Sequence, residues 1–149
     1  MYSAWLNIWK VWRLEDTHEA LLRGLLKAHS KVPVEALHLE TGTISIRHIL
    51  KSRRLCYLQN ILRRDSEELV REIYDAQKND PVDGDFYQLV QTDAAEIDLN
   101  LTEAQIISMK EEEYKAKVKA KIRIASFNYL MEIKRSHSKM DGINYRNLK

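Results

Sequence analysis

Apolar residues recur along most of the chain at the three- and four-residue spacing of one helix face, and no segment alternates as a half-buried strand would. Asp16 and Glu19 stand at capping-box spacing ahead of Leu21, Leu22, Leu25 and Leu26, which predicts a first helix over about Thr17 to Ala28 with one buried face. Pro33 suits a first helical position, so Pro33 to Thr41 reads as a short helix stopped by Gly42. A long helix follows from about Ser45 to Arg64. It carries Ile46, Ile49, Leu50, Tyr57 and Ile61 on one side and Leu55, Leu58 and Leu62 on another, which predicts a central position.

Asp65-Ser66-Glu67-Glu68 has the spacing of a fresh helix start after a tight hairpin, with Leu69, Val70, Ile73 and Ala76 as the next apolar stripe. Asn79 to Gly84 reads as a loop, after which Asp85 caps a helix bearing Phe86, Leu89, Val90 and Ile97. Thr102 and Gln105 form another capping box for a short helix through Met109. The last helix, about Glu111 to Arg135, aligns Tyr114, Val118, Ile122, Ala125, Tyr129 and Ile133. The expectation is an all-α single domain of about six to seven helices around a long central one. Residues 16–135 form its core, 1–15 an N-terminal segment of uncertain role, and 136–149 a loose basic tail.

Composition agrees: 149 residues suffice for a core without staples, and four Gly, two Pro and 31% charged residues suit long polar-faced helices. The single cysteine, Cys56, has no internal partner and no zinc-ligand spacing around it. A reducing, intracellular setting in nucleus or cytoplasm is expected. No targeting segment is read at the N-terminus, and no stretch reaches the roughly 20 apolar residues of a membrane span.

The net charge of +2 conceals three blocks. Lys plus Arg against Asp plus Glu count 11 to 5 over residues 1–64, 2 to 12 over 65–103 and 11 to 5 over 104–149, giving +6, −10 and +6. Either the basic blocks face a polyanion while the acidic block turns away, or the blocks pair inside the fold. Arg47, Lys51 and Arg54 share one stripe of the long helix and Arg63-Arg64 end it, a pattern suited to tracking phosphates. Arg53, amid Ile46, Leu50 and Tyr57, is expected instead to be buried against an acid. Lys115, Lys117, Lys119 and Lys121 alternate, which on a helix spreads them around the cylinder as solvated surface.

Other chemistry reads as weaker. Asp80, Asp83 and Asp85 tempt a calcium loop, but Gln91 stands where the closing Glu belongs, so turn and cap roles are expected. His18, His29, His38, His48 and His137 form no four-ligand pattern with Cys56. No glycine-rich phosphate loop or activated nucleophile is marked. Neither a metal nor a cofactor is expected, and no catalytic residue is assigned. Trp5, Trp9 and Trp12, at helical spacing, read as an anchor against the rest of a fold more than as a base-stacking platform.

From Leu39-Glu40-Thr41-Gly42-Thr43-Ile44 and Ile46-Arg47, a series of short matches continues through Arg53-Arg54-Leu55, Tyr57-Leu58, Ile61-Leu62-Arg63-Arg64-Asp65, Ala76-Gln77-Lys78, Gly84-Asp85, Gln105-Ile106, Tyr129-Leu130 and His137-Ser138-Lys139. In this order the chain resembles the C-terminal region of non-LTR (LINE-type) retrotransposon endonuclease/reverse transcriptases of animals, over most of its length. The stretch from Trp9 to Trp12 departs from that pattern by being shorter and more aromatic. The resemblance implies a helical connector between the polymerase thumb and a Cys/His knuckle-like segment, helping to hold template or target.

The parent would be an RNA-directed DNA polymerase and endonuclease, but Tyr74-Asp75-Ala76 lacks the second acid of the palm's paired aspartates. No catalysis by this chain is therefore expected. The implied partners are an RNA or DNA backbone, held by Arg47, Lys51, Arg54, Arg63 and Arg64, and the polymerase core, with no membrane. The alternatives are a helical interaction module that docks on that core or self-associates, and a nonfunctional remnant.

Overall fold

The computed structural model describes residues 2–146, and the side chains of residues 10–136. Over these it holds seven helices and no strand: α1 (Tyr2–Leu26), α2 (Val34–Thr41), α3 (Ile46–Leu62), α4 (Leu69–Asn79), α5 (Phe86–Glu96), α6 (Glu103–Ser108) and α7 (Glu111–Arg146). The architecture is all-α, as the periodicity predicts. α3 is the central element, packed against α1, α4, α5, α6 and α7. Leu55, Leu58, Ile61 and Leu62 of α3 meet Val90 of α5, Ile97 just after it, Ile106 of α6 and Tyr114, Val118 and Ile122 of α7 in one core.

α3 and α7 run antiparallel. Tyr114 near the start of α7 donates its hydroxyl to the Leu55 carbonyl at 3.0 Å, while Tyr129 further along α7 meets His48 near the start of α3. Of the two apolar sides of α3, the one with Leu55, Leu58 and Leu62 is buried deepest, and Tyr57 of the other remains exposed. Gln59, also buried, donates its amide to the Ile106 and Met109 carbonyls at 2.8 and 3.1 Å, tying α3 to the end of α6.

Local signals hold where they depend on adjacent residues. Asp85 accepts from the Gln88 backbone at 2.7 Å and from the Val82 backbone at 2.8 Å, so it caps α5 and braces the preceding loop. Thr102 and Gln105 close the expected capping box on α6. Gly42, at φ 64°, ends α2 in the left-handed conformation, where an L side chain costs roughly 1–2 kcal/mol.

Several expectations are corrected. The first helix is far longer than Thr17 to Ala28, so Asp16 and Glu19 are interior to α1 and cap nothing; Glu19 instead receives Arg23 at 2.6 Å. Only Leu22 of its leucine cluster is buried, because Leu21, Leu25 and Leu26 point away from α2 and α3. α4 starts at Leu69 and not at Asp65, whose carbonyl accepts from the Glu68 backbone in a turn. α7 continues through Ser136 to Arg146, a stretch with one glycine and no proline to stop it. The side chains of Trp5, Trp9 and His137 lie outside the described residues, and Trp12 is exposed.

Candidate nucleic-acid interface

The five cations expected to hold phosphates sit along α3 and its C-terminal turn, and each already has a partner. Arg54 forms two bonds to Asp93 of α5, at 2.7 and 3.1 Å, and the Asp93 side chain is only 4% exposed. Lys51, one turn earlier, pairs with Glu96 of α5, and burial is the main cause pressing its pKa down. Arg47 lies 3.4 Å from Glu15 of α1 and 5.6 Å from the centre of the Tyr129 ring. Arg63 donates to the Met109 and Ile107 carbonyls, and Arg64 pairs with Glu68 at 2.5 Å.

The charge blocks thus pair inside the fold: Lys51 and Arg54 of the first meet acids of the second, and Lys121 of the third meets Asp98 at 3.2 Å. Arg53 reverses its expectation. It is exposed with no ion pair or hydrogen bond among the described residues, while Arg54, about 100° around the helix, takes the internal acid.

Unpaired positive charge gathers on α7 instead. Between residues 115 and 135 that helix carries Lys115, Lys117, Lys119, Lys121, Arg123, Lys134 and Arg135 against the single acid Glu132. Lys115 pairs with Glu111 and Lys121 with Asp98, but Lys117, Lys119, Arg123, Lys134 and Arg135 are exposed without partners among the described residues. Ile124 and Phe127 stand exposed between them. The alternation of the lysines does spread them, but only around the outward arc, since Tyr114, Val118 and Ile122 take the inward one. Cys56 of α3, its thiol pushed up by burial, feels the opposing charges of Lys115 and Lys119, which places this flank of α7 beside α3.

Imidazoles sit elsewhere. His48 is buried and shares a 2.7 Å hydrogen bond with Ser45; burial, then the charges of Lys51 and Arg47, press its pKa to about 4. His38 shares a 3.0 Å bond with Thr43, and its ring lies 5.3 Å from that of His18 at a cavity of about 260 Å³ shared by α1, α2, α3 and α7. Among the described residues no group of three or more His, Cys, Asp or Glu is arranged to hold a metal ion, and no helix is long and apolar enough to cross a membrane.

Comparison with protein-family models, with curated proteins and with solved structures returns no match.

Proposed function

We propose that the chain is a noncatalytic helical connector of a non-LTR reverse transcriptase that helps its polymerase core hold RNA or DNA. The observation that carries the nucleic-acid reading is the outward face of α7, with Lys117, Lys119, Arg123, Lys134 and Arg135 exposed around Phe127 and without partners among the described residues. Free cations gain more from a phosphate than paired ones, because no internal bond has to break first. The exposed Phe127 ring offers a stacking surface for an unpaired base. Assignment to the retrotransposon family is supported by the ordered short matches from Leu39 to Lys139. Arg47, Lys51, Arg54, Arg63 and Arg64 then serve mainly to brace α3, and Arg53 is the α3 cation left for contact.

The test is a salt titration of binding to labelled structured RNA, single-stranded DNA and duplex DNA, read by anisotropy. Five phosphate contacts on a duplex give a log–log slope of about −4 to −5, and Lys117→Glu, Lys119→Glu and Arg123→Glu together make it shallower by about 3. Absence of binding at low salt, or binding indifferent to that triple change, refutes the reading.

A further inference from the structure

α4 is amphipathic, yet its apolar side is only half used. Tyr74 turns into the core, while Leu69, Ile73 and Ala76, at i, i+4 and i+7, share an outward stripe; Leu69 is 69% and Ile73 49% exposed. On the inward side, Tyr74 meets Phe86 at 6.5 Å, and Phe86 meets the exposed Tyr57 of α3 edge-on at 6.0 Å. Glu72, three residues from Leu69 and four from Ala76, flanks the stripe, and Glu67 stands two residues before α4; both are exposed and belong to the block that carries −10. α7 presents the opposite surface, with Ile124 at 59% and Phe127 at 53% exposure, two exposed alanines at 116 and 120, and a rim of Lys117, Arg123 and Lys134.

Both surfaces are helical, apolar at the centre and charged at the rim, with opposite signs. Neither suits its own copy, since acid would meet acid or base meet base. Each suits the other, and α4 packs on α3 and α5 while α7 packs on α3 and α2, so both stay open to an outside partner. We infer that the chain self-associates head to tail, the acidic apolar face of α4 on one copy seating the basic apolar face of α7 on the next. Such a contact is heterologous: each copy keeps one face free, so association runs on to chains or closes into a ring. The interface is charge-matched, which makes it salt-sensitive. It uses the α7 cations on which the nucleic-acid reading rests, so RNA competes with it, but α4 belongs to it alone.

The test is sedimentation velocity of the full chain over a concentration series at low and high salt, with two surface variants. Ile73→Lys breaks the α4 face, and Ile124→Glu with Phe127→Glu breaks the α7 face; both sets of positions are exposed, and helical circular dichroism checks the folds. The wild-type chain is expected to grow with concentration and to shrink with salt. Each variant alone loses association about tenfold or more, as removal of a central contact residue does. Mixed in equal amounts, the two variants form a dimer that grows no further, because one intact α4 meets one intact α7.

A wild-type chain that stays monomeric overturns the inference, and so does an Ile73→Lys chain that associates like wild type or a mixture that yields no dimer. RNA binding by the Ile73→Lys chain reports on the nucleic-acid reading separately.

Discussion

Replacing Arg54 by methionine removes the cation from an ion pair whose acid is buried and leaves the Asp93 carboxylate behind. The two partners are unequal: the Asp93 side chain is 4% exposed, against 30% for Arg54. Stranding a fully buried charge costs about 3–5 kcal/mol, and Lys51, close enough for its charge to couple to Asp93, softens that. Arg54→Met is expected to cost about 2–3 kcal/mol. Asp93→Asn strands a guanidinium that already reaches water, and is expected to cost about 1 kcal/mol. The double change to Met and Leu returns stability to within about 1 kcal/mol of wild type, because an apolar pair of similar volume needs no desolvated charge. Urea unfolding followed by helical circular dichroism, at constant m, reads all three. Equal losses for the two single variants, or a double variant as unstable as Arg54→Met, refute the claim that the pair is set by unequal burial.

Two further outcomes follow from buried polar groups. His48, pressed to about 4 from 6.5, refuses a proton that the unfolded chain accepts, so its contribution is fully present above pH 6.5 and is lost as pH falls toward 4. The loss amounts to roughly 2–3 kcal/mol, and His48→Gln, which keeps a partner for Ser45, should flatten that part of a stability-against-pH curve. Tyr114→Phe deletes the bond to the Leu55 carbonyl within the α3–α7 contact and should cost about 1 kcal/mol in urea unfolding.

The parts of this fold legible in the sequence are those decided within a few residues. Asp85, Thr102, Gln105 and Gly42 act through backbone groups three or four positions away, and each stands in the role its spacing predicts. Asp16 and Glu19 have the same spacing as a cap and fail as one, because the chain before them is already helical from Tyr2. Capping is a property of a boundary, and spacing alone does not create one. The leucines of α1 fail for a different reason: four apolar residues in six positions leave the choice of buried one to whichever neighbour arrives, and α2 and α3 arrive on the side of Leu22.

The basic stripe of α3 is visible in the sequence, and the acids that face it are not. Arg47, Lys51 and Arg54 fall on one side of α3 whichever helix packs there, but the sequence does not say that α5 brings Asp93 and Glu96 to that side. A charge run on a helix therefore reports a face, and only the tertiary neighbours decide between ligand contact and internal bracing. α7 differs in a way the sequence does contain: over residues 115–135 it offers seven cations and one acid, so local pairing leaves most of them over. Three of its five acids, Glu111, Glu112 and Glu113, stand in its first turn, where they complement the positive end of the helix dipole. Local surplus on one element is the stronger sign of free charge, because a helix short of its own acids must borrow them from elsewhere, and among the described residues Lys121 borrows Asp98 while Lys117, Lys119 and Arg123 stay exposed.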